Sequence, residues 1–331
     1  MRSNLVIGVA LSAGGAAAMA QVGVLEELSA AGLPIRCVAG TSAGAMVGAA
    51  FAAKRLEPFR ELMCGLSRRR VLWLFDPTWP RVGLFEGRRA MELIRPYVGT
   101  RIETLPRRYA AVATDLRSGA EVVLREGDVL EAIRASVAIP GIFTPQRKDG
   151  RLLVDGGLVD PLPVAALGEL GANFTIAVSV LPLTERARHQ AARGARERRR
   201  LPTQLLARFL AGLARGRRAP GGAEPRQVLA SRGVGDELGL IEVLLEASRV
   251  VESHLAASRL REQPPDVLIS VPLPRIGLFD FHRSQEMVDA GRAAARRALP
   301  EVRARLAGTV PIYRRVRSWL DRAAARAAGD A

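Results

Sequence analysis
The feature that most constrains this chain is a short, wholly apolar run, Leu5–Leu11, that breaks directly into Ser12-Ala13-Gly14-Gly15. A run of that length without a polar face suits a strand covered on both sides of a sheet. A helical pattern follows through Val24, Leu25 and Leu28 and is stopped by Gly32 and Pro34. A second unit of the same kind comes next, with Ile35–Ala39 as strand, Gly40–Gly44 as turn and an Ala/Gly-rich helix. Tyr109–Thr114, Glu121–Leu124, Leu152–Val154, Ala172–Val180 and Val267–Val271 complete the expected strands. Alternation of this kind predicts an α/β fold with a mainly parallel sheet between helical layers. The stretch 184–232, with its Arg runs and Ala219-Pro220-Gly221-Gly222, reads as an insertion in that pattern.

Arg2 followed by Leu5–Ala20 superficially copies a secretory signal. Cleavage there would remove the glycine-rich turn, so the buried-strand reading is preferred. Beyond this N-terminal stretch the longest uncharged run, Cys37–Ala53, is mostly Ala and Gly and too short to span a bilayer comfortably. Cys37 and Cys64 cannot staple a chain of 331 residues, and no Cys/His spacing suggests a metal site. No cofactor motif is expected either.

Basic side chains outnumber acidic ones 49 to 33, a net charge of +16, and all but Lys54 and Lys148 of the cations are Arg. The surplus is local: residues 184–232 carry +10 and residues 292–331 carry +7, leaving −1 for the rest. Groove-reading motifs and interleaved aromatics are scarce in both segments, which argues against a nucleic-acid partner. Leu201–Arg215 and Val310–Ala328 instead have the spacing of basic amphipathic helices, suited to an anionic membrane interface. The same pattern also fits helices packed on the body with ordinary exposed Arg. The expected organisation is one domain over residues 1–300, with the Arg-rich insertion, followed by a basic amphipathic tail over 301–331.

Gly40-Thr41-Ser42-Ala43-Gly44 is the first chemical signal. Between a strand and a helix, G-x-S-x-G bends the chain so sharply that the serine projects beyond the sheet edge. A serine nucleophile needs a base. Of the three histidines, His189 lies in the Arg-rich segment and His254 on an amphipathic helix pattern, leaving His282 as a triad candidate. Asp155 is the better candidate, because it ends the strand Leu152–Val154 and opens the turn Gly156-Gly157. Convergence of strand C-termini on one sheet edge would bring it to Ser42, where a carboxylate serves as base without an imidazole. The plainer reading of Asp155 is an Asx-type turn former. Gly14 and Gly15 fail a dinucleotide fingerprint, since Ala13 and Ala18 stand where flanking glycines would fall. They suit backbone N–H groups aimed at a developing oxyanion.

Together, Leu11-Ser12-Ala13-Gly14-Gly15, Gly40-Thr41-Ser42-Ala43-Gly44 and Asp155-Gly156-Gly157 resemble the patatin-like phospholipases. So do Ala113-Thr114-Asp115-Leu116, Ala135–Phe143 and Leu158–Val164, so the likeness covers about residues 5–182, with a weaker echo at Ile276–Gly291. The resemblance implies a three-layer α/β/α sandwich and hydrolysis of acyl esters of phospholipids or lysophospholipids by a Ser42–Asp155 dyad. It implies an oxyanion hole that includes Gly14 and Gly15, with Gly40, Gly44, Gly156 and Gly157 as motif glycines. A cytoplasmic protein in peripheral contact with an anionic membrane is the corresponding expectation. The loop departs from the family's G-G-G-x-R/K-G: Ala13 and Ala18 replace glycines, Ala17 stands where a basic residue would be, and Gln21 where many bacterial members have His. Alanine at a positive φ would be strained. This departure motivates an alternative, a catalytically impaired scaffold that docks on a membrane or a protein.

Overall fold
The computed structural model describes residues 5–74, 76, 83–183, 240–274 and 276–309. The expected insertion 184–232 with His189, the stretch Leu201–Arg215 and the stretch Val310–Ala328 lie outside the described residues. The elements run in the order β1 (Ile7–Leu11), α1 (Met19–Ala30), β2 (Ile35–Thr41), α2 (Ala43–Ala52), α3 (Leu56–Cys64) and α4 (Arg68–Trp73). Then come β3 (Gly83–Phe85), α5 (Arg88–Val98), β4 (Arg108–Asp115), β5 (Glu121–Leu124) and α6 (Val129–Ser136). The remainder is β6 (Gly141–Phe143), β7 (Gln146–Lys148), β8 (Arg151–Asp155), α7 (Val164–Glu169), β9 (Phe174–Ser179), α8 (Leu240–Glu262), β10 (Val267–Ser270) and α9 (Ser284–Thr309). Helix α9 runs unbroken through residue 300, so no break in the helix marks the expected boundary there.

The main sheet has the order β10-β9-β1-β2-β4-β8-β7, with β5 on the other pairing of β4. Strands β10, β9, β1, β2 and β4 are parallel, whereas β5, β7 and β8 run antiparallel to their neighbours. β3 and β6 form a separate two-stranded sheet. Register gives each face its own character. Val267, Ile176, Val9, Val38 and Tyr109 lie side by side across five strands and turn to one face. Packed on that face are the apolar sides of α1, α2, α5, α6 and α9. One residue further along, Ala177, Ala10, Ala39 and Ala110 form a row of small side chains on the other face. That shallow row is covered by Leu167 of α7 and Ala256 of α8. The result is a three-layer α/β/α sandwich with a mainly parallel centre.

Both cysteines are free, and burial pushes the Cys37 thiol up to about 11. Among the described residues, no helix is long and apolar enough to cross a membrane.

Tyr109 fixes the helix that carries the site. It is 1% exposed, and its hydroxyl donates to Ala45 O in the first turn of α2 at 2.9 Å. Tyr109→Phe keeps the packing and loses only that bond. The expected cost is about 1 kcal/mol in urea unfolding, against about 3–5 kcal/mol for Tyr109→Ala.

Candidate active site
β2 and β8 meet end to end on one edge of β4. Thr41, the last residue of β2, lies opposite Val112 in parallel register. Asp155, the last residue of β8, lies opposite the next residue, Ala113, in antiparallel register. The residues that leave these two strand ends are therefore neighbours. This corrects the reason for expecting Asp155 near Ser42: strand C-termini do converge, but from opposite directions, because β8 is not a parallel strand.

At the end of β2 the backbone turns through Ser42 with φ 56° and ψ −128°, a positive-φ conformation that a residue with a Cβ seldom adopts. The flanking glycines are required by contact. A Cβ on Gly44 would sit 2.5 Å from Ser12 O and 2.6 Å from Leu11 O, and one on Gly40 would strike Gly44 O. The elbow is thereby pressed against the turn that leaves β1. Ser42 occupies the N-cap of α2, where a serine hydroxyl ordinarily accepts from a helix amide. Here it makes no cap bond and donates to Asp155 Oδ2 at 2.6 Å.

The carboxylate is held at both oxygens, since Oδ1 accepts from Gly157 N at 2.8 Å. Its backbone is fixed by Asp155 N donating to Ala138 O at 3.0 Å and Thr114 Oγ1 donating to Asp155 O at 2.8 Å. Ser42 is 5% exposed and Asp155 4%. Burial pushes the Asp155 carboxyl up to about 6, while the bonds from Ser42 and Gly157 pull it the other way. The group is therefore poised near neutrality. A buried serine hydroxyl donating to a carboxylate of that basicity is an arrangement for removing the hydroxyl proton.

Gly14 and Gly15 have φ of 148° and 55°. Neither amide donates to another described residue, whereas the neighbouring amides of Ala13, Ala16 and Ala17 bond to Pro161 O, Leu278 O and Gly14 O. Two donors are thus left open in the turn against which Gly44 packs. The alanines that depart from the expected loop, Ala13, Ala17 and Ala18, all have negative φ, as does Ala16 between them. Gln21 is buried and donates through Nε2 to Ser12 O at 2.7 Å, bracing the turn, while its Oε1 has no hydrogen-bond partner.

His282 is not part of this arrangement. Its Nε2 accepts from Arg68 Nε at 2.9 Å, and the hydroxyl of Ser42 is already committed to Asp155. His254 is exposed on α8. Two groups at the site are not among the candidate site residues expected from sequence, although Ser136 lies in the family-like stretch Ala135–Phe143. Ser136, at the end of α6, accepts from Ser42 N at 2.8 Å and donates to Val112 O at 2.6 Å, closing the gap between the strand ends. Glu252, on α8, lies against Gly157. Only the fold brings either one here.

The patatin-like phospholipase family model matches residues 9–167, a span that holds all three motifs. An uncharacterized NTE family protein of Mycobacterium tuberculosis is 35% identical over 327 residues, covering 88% of this chain and 91% of that protein. Neuropathy target esterase of Drosophila melanogaster is 33% identical over 181 residues, covering 53% of this chain but 13% of that protein. Among solved structures, VipD from Legionella pneumophila aligns with a TM-score of 0.43 at 13% identity, over 90% of this chain and 67% of that one. The chain belongs to the patatin-like phospholipase family, a membership that implies lipid acyl hydrolase activity.

Proposed function
We propose that the protein is a serine esterase that hydrolyses acyl esters of phospholipids or lysophospholipids, with Ser42 as nucleophile and Asp155 as general base. The observation that carries this reading is the 2.6 Å bond from Ser42 Oγ to Asp155 Oδ2 at a serine that does not cap its helix. As Oγ attacks the ester carbonyl carbon, its proton passes to Asp155. The negative charge forming on the carbonyl oxygen is received by the free amides of Gly14 and Gly15. Collapse expels the alcohol, which takes the proton from Asp155 and leaves an acyl ester on Ser42. Water then attacks that ester, giving its proton to Asp155. Ser42 recovers the proton as the fatty acid departs.

The negative φ of the four loop alanines favours this reading over an impaired scaffold, because none of them occupies a position that requires glycine. We extend the proposal to a cytoplasmic protein in peripheral contact with anionic lipid, on the charge of residues 184–232 and 292–331. Flotation with anionic vesicles and loss of binding in neutral ones is the expected result; equal binding to both rejects it.

A fluorophosphonate probe is expected to label the protein at Ser42. Labelling that persists in Ser42→Ala rejects the nucleophile. Asp155→Asn should lower ester turnover by about 10³-fold or more. Because the base must be ionised, the rate of the native chain should fall as pH drops through about 6.

The same substitution has an opposite effect on stability. The folded carboxyl titrates above its ordinary value, so its favourable contribution is full below about pH 4 and lost as pH rises through about 6. Asp155→Asn should therefore raise stability at pH 8 by about 1–3 kcal/mol, with the difference vanishing near pH 4, as read by thermal unfolding.

Ser136→Ala leaves the Ser42 amide and Val112 carbonyl without their shared partner. It should cost about 1–3 kcal/mol and reduce turnover by loosening the elbow. Unchanged kinetics in a destabilised variant would confine Ser136 to a folding role.

A further inference from the structure
Helix α8 leads through a short connection into β10, which is parallel to the strands β9, β1, β2 and β4. The helix therefore runs against the strands, with its last turn at the edge where they begin and its first half at the edge that carries Ser42. Contacts fix that placement. Ala256 packs on the alanine row of the sheet, Glu252 lies against Gly157, and Arg249 Nη2 donates at 2.7 Å to Ile276 O, beyond the end of β10. From Glu252 back to Val243 the helix continues past this edge for about 13 Å. At about 100° per residue, Val243, Leu244, Ala247, Val250 and Val251 fall within an arc of about 120°, and the buried Ala256 lies on the opposite side. Ala247 is exposed, and the four larger side chains are between 47% and 55% exposed. In the second half of the helix the same arc carries His254, Ser258, Arg261 and Glu262. A solvent-facing stripe is ordinarily polar along its whole length. This one is apolar only over the turns that stand at the edge of the dyad, where Leu158, in the turn after Asp155, is exposed as well.

We propose that this stripe is the surface by which the protein enters an anionic lipid membrane. Val243, Leu244, Val250 and Val251 sink into the boundary between headgroups and acyl chains and set the sheet edge that carries Ser42 against the lipid. The inference rests on the reading of lipid acyl esters as substrate and of anionic lipid as the membrane contact, and deepens both by naming the surface. Apolar side chains favour the lipid over water in proportion to the area they bury, and these four take no polar group with them. Glu246 lies outside the arc and approaches Arg249 at 3.6 Å. Residues 184–232, at +10, end seven residues before α8 begins, and those seven, with Asp236 and Glu237, lower the sum only to +8. The cations proposed to draw the protein to anionic lipid are thus tied in the chain to the apolar half of α8. Positive charge joined to an apolar stripe is complementary to an anionic interface, where cations meet phosphate and the stripe meets hydrocarbon. A second copy of the chain would bring the same positive charge to the contact and be repelled.

The test reads depth in the membrane, independently of turnover. Bimane is attached to Val250→Cys and, in a second protein, to Arg261→Cys, each combined with Cys64→Ser and with the buried Cys37 left in place. Both are mixed with vesicles of equal phosphatidylglycerol and phosphatidylcholine, with and without a nitroxide on the acyl chain, and flotation is recorded in parallel. The probe at 250 should shift to the blue and lose about half or more of its emission to the nitroxide, while the probe at 261, at the far end of the helix, loses little. Flotation without quenching at 250, or with equal quenching at 250 and 261, overturns the inference and leaves the charge-driven contact standing. Failure of the native chain to float overturns that contact and the inference with it. Val243→Gln, Leu244→Gln, Val250→Gln and Val251→Gln combined should lower partition onto the same vesicles about tenfold or more, with circular dichroism unchanged. Partition equal to that of the native chain overturns the inference, and should the combined variant lose its fold, the pair of probes decides. A native chain that is dimeric without lipid, and monomeric once the four Gln are in place, assigns the stripe to a second copy and overturns the inference too.

Discussion
The site depends on an interruption of the main sheet. Along one edge of β4, pairing passes from β2 to β8 between Val112 and Ala113, and the two partners approach from opposite ends. Both must leave the sheet at that point, and both do so in turns closed by glycine. A strand junction of this kind strands backbone polar groups in a buried place, where an unpaired donor or acceptor is costly. Side chains repair it. Ser136 bridges Ser42 N to Val112 O, Thr114 donates to Asp155 O, and Thr41 Oγ1 donates to Asp160 O at 2.7 Å. The neighbours that repair the sheet are the same ones that hold the Ser42–Asp155 pair, so local stability and site geometry cannot be varied separately.

Burial then sets the electrostatics. Asp155, Asp160 and Glu252 are all pushed up by loss of water, to about 6, 7 and 8. Their neighbours give them different parts. Asp160 shapes the turn into Leu162 and has the Arg259 charge to offset Glu121. Asp155 has hydrogen bonds to its ionised form, which is why it titrates first. Glu252 has no hydrogen bond to its ionised form among the described residues, and the Arg249 charge opposes burial and the Asp155 charge without cancelling them. The three carboxyls are separated by who donates to them and by the charges beside them, and not by depth alone.

Much of this was legible in the sequence, and the gaps have physical reasons. Strand positions followed from apolar runs such as Leu5–Leu11 and Tyr109–Thr114, because a buried strand must be apolar on both faces. Strand direction is not encoded in such a run, so the antiparallel entry of β8 could not be read from Leu152–Val154. β7, Gln146–Lys148, has no apolar residue, and β3 and β6 are three residues each; their pairing is a consequence of the surrounding fold. Ser42, Asp155, Gly14 and Gly15 were legible because turns that tight restrict residue type. Ser136 lies in the family-like stretch Ala135–Phe143 with nothing in the pattern to show what it bonds, and Glu252 is one acid among several on a long helix. Each acquires a place at the site only from contacts distant in the chain, Ser42 and Val112 for Ser136 and the turn after β8 for Glu252.

The loop alanines show how a motif can depart from its family pattern without losing the conformation it encodes. A glycine is indispensable only where φ is positive or where a Cβ would collide. In this loop both conditions fall on Gly14 and Gly15, whose added Cβ atoms would meet Val180 Cγ2 and Leu278 Cδ1 at 2.5 Å. Ala16, Ala17 and Ala18 are buried in a 3-10 turn, where a methyl group fills space that glycine would leave open. The expensive features of the molecule lie elsewhere and close together: a serine at positive φ, a helix left without its cap, and a carboxylate deprived of water. A scaffold used only for docking would be more stable without any of the three. All three end on the single hydrogen bond between Ser42 and Asp155, and the acyl transfer proposed through that bond accounts for their coincidence.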